Sequence, residues 1–393
     1  MIDQTVKALP LRPTSYTKRV ALVLQGGGAL GSYQAGVYEA LAGSDYQPDW
    51  VAGISIGAIN AALIAGNAPE QRVGKLREFW RSITTPAGWT DTTFAFGTGG
   101  DIASAMTKQM SAMHALVLGQ PNFFAPRMPA DWWFGRAPTS FYNTGALRST
   151  LERLVDFDRI NARETRFSVG AVNVRTGNFA YFDNAQIEIR PEHVMASGAL
   201  PPGFPSVEID GEHYWDGGLV SNTPLQYVIE YFPRRSHLVI QVDVFPARGA
   251  LPENLSQVSE RDKDIRYSSR TRAGTDSLRR LHDLRHSINQ LWEKLSDDLR
   301  SGPEAKLLDD FRCVTTMDIV QLIYRPVAPQ GQSKDYEFDR STMQTRWAQG
   351  FADAQATLMA APWLAPMPPE VGARTFDILA TQPAQCASAH VHG

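Results

Sequence analysis

The chain has 393 residues, of which 43% are hydrophobic and 20% are charged, and its formal net charge is −3 at pH 7. This length predicts two domains or one large α/β domain with additions, and the apolar fraction is ordinary for a globular protein. The near balance of charges gives no global attraction to nucleic acid. Two cysteines, Cys313 and Cys386, cannot build a disulfide framework or a four-cysteine zinc site. The composition therefore excludes collagen-like, disordered, disulfide-rich and multi-pass membrane proteins.

Two uncharged stretches, residues 20–38 and 51–69, approach the length of a membrane span. Glycines and polar residues such as Gln25, Gln34 and Asn60 interrupt them, whereas spanning helices are near-continuous apolar runs. The first residues of the chain contain no apolar run long enough for a signal peptide. The sequence therefore predicts a cytoplasmic protein, with peripheral contact as its only association with a membrane.

The first part of the chain repeats a unit of strand, glycine turn and helix. Residues 19–25 form a β-branched apolar run that stops at three glycines, which is typical of a buried strand in a parallel sheet. Helical spacing follows from Gly31. A strand at 50–54 and a helix at 58–65 repeat the unit, and a further helix is predicted at 69–83. This alternation predicts an α/β fold with a parallel sheet.

Residues 86–140 interrupt that rhythm with an aromatic-rich insertion. Its aromatic residues are interleaved with glycine and proline and include Trp89, Phe94, Phe96, Phe123, Phe124, Trp132, Trp133 and Phe134. Irregular loops with one helix at 102–118 are predicted. Two interpretations stay open: aromatic packing beneath a long insertion, and a surface that binds an apolar group or contacts a membrane.

Regular structure is predicted again after the insertion. The expected elements are a helix at 144–155, a hairpin from 166–174 and 178–182, a buried strand at 235–244 and a helix at 341–358. Residues 260–300 form a charged helical zone with a patch of arginines. For this zone, a solvated helix face is weighed against a surface for anionic lipid or a partner protein.

The strongest local signal for chemistry is a serine between two glycines. It occupies the third position of Gly53-Ile54-Ser55-Ile56-Gly57, where a strand ends and a helix begins. A nucleophile elbow requires this context, because the tight turn holds the serine in a strained position with its hydroxyl exposed. The helix start beyond it directs backbone N–H groups and a partial positive charge at the site. Ser55 is therefore the candidate nucleophile, weighed against a plain glycine turn.

A glycine-rich loop follows the neighbouring strand, with the sequence Gly26-Gly27-Gly28-Ala29-Leu30-Gly31. It formally satisfies the dinucleotide fingerprint G-x-G-x-x-G in a strand–loop–helix setting. Such a domain should end its second strand in an acidic residue, and here that strand ends in Ile54-Ser55. Residues without side chains also let backbone N–H groups approach a ligand oxygen, as in an oxyanion hole. The second interpretation is favoured, and cofactor binding by an oxidoreductase remains the alternative.

The candidate nucleophile needs a base to take its proton. Eight histidines are present, but none stands in a glycine-marked turn at the end of a predicted strand. Asp216 does so in Trp215-Asp216-Gly217-Gly218, where an apolar approach and two glycines place a carboxylate on a tight turn. Desolvation in such surroundings would make this carboxylate a competent base. By itself, an Asp-Gly-Gly sequence is more often only a turn.

Taken together, three sequence blocks resemble the patatin-like phospholipase family: the glycine-rich loop at 26–31, the serine motif at 53–57 and the aspartate turn at 215–218. The resemblance extends from residue 20 to about residue 225 and includes residues 196–211, which are similar to the segment that leads into the family's catalytic aspartate. It implies a three-layer α/β/α sandwich with a mainly parallel central sheet. It also implies a Ser–Asp dyad without histidine, in which Ser55 is the nucleophile and Asp216 the base.

The same resemblance implies the remaining parts of the site. The oxyanion hole would come from the backbone of Gly26, Gly27, Gly28 and Ala29, with Gly31, Gly53, Gly57, Gly217 and Gly218 as motif glycines. No metal and no cofactor would be required. The chain has Leu30 where many bacterial members carry Arg or Lys. The missing positive charge argues against a strong preference for anionic head groups.

The function implied by the resemblance is that of a serine acyl hydrolase of the phospholipase A or lipid esterase type. It would cleave fatty-acyl esters of lipids through an acyl-enzyme intermediate. Two other classes remain as alternatives, a dinucleotide-binding oxidoreductase and a regulatory partner protein with a degenerate patatin fold. The presence of both Ser55 and Asp216 argues against the regulatory protein.

The predicted organisation is a lead-in at 1–18, a hydrolase domain at 19–250 with an insertion or lid at 86–140, a mainly helical C-terminal extension at 251–375 and a flexible tail at 376–393. The core chemistry is expected to need nothing beyond about residue 250. The extension is similar to that of a bacterial subgroup linked to 3-hydroxybutyrate metabolism. This similarity implies self-association or docking to a short-chain dehydrogenase. The other expected partners are a lipid ester or phospholipid substrate and, in transient contact, a membrane surface, but no nucleic acid.

Overall fold

The computed structural model describes residues 9–84, 117–128, 138–326, 330–368 and 370–380, with the backbone alone for residues 269–273. The helix predicted at 102–118 lies almost entirely outside the described residues, as does most of the aromatic insertion. The predicted flexible tail is described only as far as residue 380.

A mostly parallel sheet forms the centre of the molecule. The described strands are β1 Arg19–Leu24, β2 Trp50–Gly53, β3 Ala125–Pro126, β4 Tyr142–Asn143, β5 Arg166–Asn173, β6 Phe179–Asp183, β7 Val207–Ile209, β8 Glu212–Asp216, β9 His237–Asp243, β10 Met317–Ile323 and β11 Ala373–Phe376. The sheet order is β11-β10-β9-β1-β2-β5-β8-β7, and β6 also pairs with β5. Strands β11 to β5 in this order are parallel, whereas β6 and β8 pair antiparallel with β5, and β7 pairs antiparallel with β8. Strands β3 and β4 form a separate small ribbon.

Helices connect these strands along the chain. They are α1 Gly31–Ala42, α2 Ile56–Ala65, α3 Pro69–Ser82, α4 Gly145–Leu154, α5 Phe157–Asn161, α6 Pro191–Ser197, α7 Leu225–Glu230, α8 Leu255–Trp292, α9 Asp297–Arg300, α10 Pro303–Asp309 and α11 Arg340–Ala360. Short 3-10 turns occupy Gly28–Leu30, Gly217–Leu219, Pro362–Leu364 and Ile378–Ala380.

The side chains of β1 show that both faces of the sheet are covered. Val20, Leu22 and Leu24 belong to one hydrophobic core, and Ala21 and Val23 belong to the other, because successive side chains of a strand point to opposite faces. Helices α1, α2, α3 and α11 contribute to the first core, and α7 contributes to the second. This arrangement is the three-layer α/β/α sandwich expected from the sequence.

Most predicted elements match the structure to within a few residues. The helix expected at 69–83 is α3, the hairpin is β5 with β6, the buried strand at 235–244 is β9 and the helix at 341–358 is α11. The region beyond residue 250 is mainly helical as expected, but it also supplies β10 and β11. Because β10 pairs in parallel with β9 from Met317 to Ile323, this region is continuous with the central sheet.

The topology places two of the sequence motifs side by side. Strands β1 and β2 are adjacent and parallel, with their last pair formed by Leu24 and Gly53. The glycine loop begins directly after β1, and Ser55 lies two residues beyond the end of β2. Both motifs therefore lie at the carboxyl edge of the sheet, where open parallel sheets bind their ligands.

Candidate active site

Ser55 lies in a strained turn between β2 and α2. Its backbone has φ 55° and ψ −122°, a conformation that a residue with a side chain rarely adopts and that clusters at active sites. A Cβ on Gly53 would collide with the carbonyl oxygen of Gly57, and a Cβ on Gly57 would collide with that of Leu24. The two glycines are therefore needed because backbone packs on backbone around the serine. The Ser55 N–H donates to the carbonyl of Ser197 (3.1 Å) and holds the turn.

Asp216 is the last residue of β8, and its carboxylate is 2% exposed. The Ser55 side chain lies beside it in the cavity wall, and the Gly218 N–H donates to its Oδ1 at 2.7 Å. Burial raises the pKa of Asp216 to about 6, although the Ser55 side chain and the Gly218 N–H both act to lower it. A Cβ on Gly217 would lie 2.6 Å from the carbonyl oxygen of Gly170 on β5, so this glycine lets the turn pack against the sheet. The structure thus pairs the predicted nucleophile with the predicted base.

The glycine loop offers fewer free donors than the sequence suggested. The Gly26 N–H donates to the carbonyl of Asn222 (3.1 Å), and the Ala29 N–H donates to the carbonyl of Asp335 (2.7 Å). The N–H groups of Gly27 and Gly28 donate no hydrogen bond within the part of the chain that the structure describes. Of the four residues expected to form the oxyanion hole, Gly26 and Ala29 therefore have their N–H groups engaged elsewhere. Gly27 and Gly28 remain as donors.

The loop and the dyad open into one largely apolar cavity of about 310 Å³. Its wall includes Gly26, Gly27, Gly28, Ser55, Ile56, Ile59, Phe123, Phe124, Tyr142, Leu147, Leu200, Phe204, Asp216, Phe245, Tyr267, Tyr336 and Phe338. Phe124 is the centre of an aromatic cluster, with its ring 4.9 Å from that of Tyr142, 5.3 Å from Phe204 and 6.4 Å from Phe338. Apolar walls with a few polar groups suit a ligand that carries a hydrocarbon chain and one polar function.

Gly31 has a packing role at the start of α1. A Cβ there would lie 2.6 Å from Cγ1 of Ile56, so the small residue lets α1 approach α2. Helix α1 begins at the last residue of the glycine motif and α2 begins directly after Ser55, so their separation fixes the glycine loop relative to Ser55. Gly31 therefore supports the site from outside the cavity.

None of the described residues that line the cavity is a histidine. His193 is buried and its Nδ1 accepts the Arg190 N–H (2.9 Å), which gives it a role at the start of α6. The Nε2 of His282 lies 2.7 Å from the carbonyl of Thr315. Burial lowers the pKa of His193 and of His282, so both are held in the neutral form. Nor do the described residues hold three metal-ligating side chains in one group.

Two residues that contact the glycine loop, Asn222 and Asp335, were not found from the sequence as site residues. The backbone carbonyl of Asn222 accepts a hydrogen bond from the Gly26 N–H, and the side-chain Nδ2 of Asn222 donates to the Gly26 carbonyl (3.0 Å). Asn222 therefore fixes the start of the loop. Because Asn222 follows Asp216 by only six residues, its closeness in sequence to the candidate base could have indicated a role at the site. Asp335 lies far along the chain, and no local pattern around it points to the site.

Comparisons with family models identify the family of this chain. Residues 22–229 match the family model for patatin-like phospholipase, and residues 265–370 match a second model described as patatin phospholipase. The chain belongs to the patatin-like phospholipase family. It is therefore a lipid acyl hydrolase, as the resemblance implied. No curated protein matches the chain.

Two solved structures resemble this patatin-like chain at low identity. VipD from Legionella pneumophila is 14% identical, with 89% of this chain and 70% of that chain covered and a TM-score of 0.37. The heterodimeric ExoU–SpcU complex from the type III secretion system of Pseudomonas aeruginosa gives 17% identity, coverage of 76% and 59%, and a TM-score of 0.27. At these TM-scores the family membership depends on the sequence models. Among the described residues, no helix is both long and apolar enough to cross a membrane.

Proposed function

We propose that this patatin-like chain hydrolyses fatty-acyl esters of lipids, as a phospholipase A or lipid esterase, through a Ser55–Asp216 dyad. The observation that carries the proposal is that the strained Ser55 and the buried Asp216 lie beside each other in the wall of one largely apolar cavity. A carboxylate whose pKa is raised toward neutrality is a stronger base than an ordinary aspartate and is still ionised at pH 7.

The reaction begins when Asp216 takes the proton of the Ser55 hydroxyl. The Ser55 oxygen then attacks the ester carbonyl carbon, and the N–H groups of Gly27 and Gly28 stabilise the negative charge on the carbonyl oxygen. The carbonyl re-forms as the ester C–O bond breaks, and the leaving alcohol takes the proton from Asp216. In the second half, Asp216 takes a proton from water, the hydroxide attacks the acyl-enzyme, and the fatty acid leaves as Ser55 regains its proton.

The shape of the cavity favours the acyl part of the substrate over the head group as the recognised part. Its aromatic cluster provides apolar surface for a hydrocarbon chain, whereas Leu30 supplies no charge for an anionic head group. A short 3-hydroxyacyl ester from 3-hydroxybutyrate metabolism would also place its ester at the dyad. Such an ester is the specific substrate that we propose.

The decisive experiment is labelling with a fluorophosphonate probe, followed by mass-spectrometric mapping of the modified residue. We expect one modified residue, Ser55, and no labelling of a Ser55→Ala variant. That variant should also lose turnover of a p-nitrophenyl acyl ester with its melting temperature nearly unchanged. Ester turnover within tenfold of wild type in Ser55→Ala would rule out the Ser55–Asp216 dyad. Binding of NAD in calorimetry, unaffected by Ser55 labelling, would favour the oxidoreductase alternative.

We also propose a partner surface on α8. Leu284 and Leu291 lie one heptad apart on this helix and are 57% and 62% exposed. Apolar residues at this spacing lie on one face of a helix, and an exposed apolar face marks a candidate interaction site. A second copy of this chain or a short-chain dehydrogenase is the proposed partner.

A further inference from the structure

The cavity has one wall that comes from the far end of the chain. Residues 330–339, which we call the strap, run past the glycine loop and supply Asp335, Tyr336 and Phe338 to the cavity wall. The strap carbonyl at Asp335 accepts the Ala29 N–H at 2.7 Å. A Cβ on Gly28 would collide with the same carbonyl oxygen, so the strap lies directly on the loop. The strap therefore contacts the loop that carries the two remaining oxyanion donors.

Ion pairs join the strap to helix α8, and each of the two segments supplies one lysine. From the strap, Lys334 is 1% exposed and donates to Glu260 (3.3 Å) and Asp264 (2.5 Å). From the helix, Lys263 donates to the carboxylate of Asp335 (2.6 Å) and to the carbonyl of Gln332 (2.6 Å). Residues at positions i, i+3 and i+4 share one face of a helix. One face of α8 thus engages the strap at residues 332, 334 and 335, up to the residue whose carbonyl touches the loop.

Both ends of the strap are fixed as well. The carboxylate of Glu260 accepts the N–H groups of Gln330 (3.2 Å) and Gly331 (2.8 Å), and the Asp339 side chain caps α11 by accepting the Thr342 N–H (2.9 Å). A segment held at its ends, and by buried ion pairs in its middle, keeps its carbonyl in one place. The position of that carbonyl determines the direction of the Ala29 N–H and of the loop before it.

We propose that Lys334 and Lys263 are positioning residues for ester hydrolysis. Through the strap they hold the Asp335 carbonyl on Ala29, and this contact aims the N–H groups of Gly27 and Gly28 at the oxyanion. The inference rests on the proposed function. A displacement of the donors by about 1 Å costs up to about 10²-fold in rate, and donors that act on developing charge affect kcat more than KM.

The test compares Lys334→Met and Lys263→Met with wild type in the turnover of a p-nitrophenyl acyl ester by the full chain. We expect kcat to fall about tenfold or more in Lys334→Met, and by a smaller factor in Lys263→Met, with KM within about twofold of wild type. Lys263→Arg keeps the charge and should restore kcat. The matched control is Lys18→Met, which removes a 2.7 Å ion pair to the buried Asp318 at the opposite edge of the sheet. It should lower the melting temperature without lowering kcat.

Three results would overturn the inference. The first is a kcat within twofold of wild type in both folded variants, and the second is an equal loss of kcat in Lys18→Met. The third is a raised KM with unchanged kcat, which would make the strap a substrate wall only. If Lys334→Met does not fold, the Lys263→Met and Lys263→Arg pair decides alone. A wild-type protein that cleaves no ester and whose Ser55 stays unlabelled would instead overturn the proposed function, and the inference with it.

Discussion

Replacing Asp216 by asparagine should stabilise the fold at neutral pH while it removes activity. Burial raises the pKa of this carboxyl to about 6, from an ordinary value of 3.8. A shift of about two pKa units corresponds to about 3 kcal/mol. Because the pKa is higher in the folded protein than in the unfolded chain, the folded state is most favoured below about pH 4. That contribution is lost as the pH rises through about 6.

Asparagine keeps the shape of the side chain but does not ionise, so the variant should not lose this contribution. We expect its free energy of unfolding to gain on that of wild type by up to about 3 kcal/mol between about pH 4 and pH 8. Burial also raises the pKa of Asp243, to about 7, but this group titrates in both proteins and cancels in the difference. Urea unfolding of both proteins across this pH range measures the effect.

The same substitution should lower kcat about 10²-fold or more, because the proton acceptor of Ser55 is lost. In wild type, kcat/KM should rise with pH through about 6, since only the ionised Asp216 accepts the proton. Hydrolysis of a p-nitrophenyl ester as a function of pH measures both. The reasoning is refuted if Asp216→Asn keeps kcat within tenfold of wild type. It is also refuted if the stability difference between the two proteins does not depend on pH.

Three further predictions concern the loop, the histidines and the surface of α8. Gly27→Ala adds a methyl group beside an oxyanion donor and should lower kcat about 10²-fold with little change in KM; an unchanged kcat would remove Gly27 from the oxyanion hole. Each of the eight His→Ala variants should keep kcat within tenfold, and loss of turnover in the His282 or His286 variant would favour a Ser–His–Asp triad. In light scattering, a Leu284→Lys, Leu291→Lys double variant should have a smaller mass than wild type. A monomeric wild type that binds no short-chain dehydrogenase would contradict the partner surface.

The parts of the site that could be predicted from the sequence are those set by local geometry. Gly53 and Gly57 flank Ser55 because the strand-to-helix turn packs backbone against backbone and leaves no room for a side chain. The five-residue motif at 53–57 is enough to predict this turn. The order of strands and helices follows from hydrophobic spacing in the same way, and it predicted an α/β fold with a parallel sheet. The three-layer sandwich was implied by the family resemblance, and the structure confirms it. The turn at Asp216 was a weaker signal for a catalytic residue by itself. Only the resemblance of all three blocks to the family indicated its role.

The parts that could not be predicted depend on contacts between distant residues. A glycine loop shows that N–H groups can approach a ligand, but it does not show which of them already have a partner. Asn222 takes one and Asp335 takes another, and the second partner lies about three hundred residues away in the chain. Gly28 illustrates the same limit, because the sequence assigned its missing side chain to a substrate oxygen. In the structure, the strap carbonyl occupies the space that a Cβ would need.

The domain boundary expected near residue 250 stays a prediction, but contacts between distant residues cross it. Strand β9 is central in the sheet only because β10 covers its outer edge, and a chain cut at 250 would expose that edge. Helix α11 packs so closely on α1 that a Cβ on Gly350 would collide with the Tyr33 carbonyl. A cut at 250 would expose the first core and would remove the strap as well. We therefore propose that the region after 250 belongs to the catalytic unit. Single substitutions in the strap and α8 test a catalytic role separately from a structural one, whereas a truncation cannot.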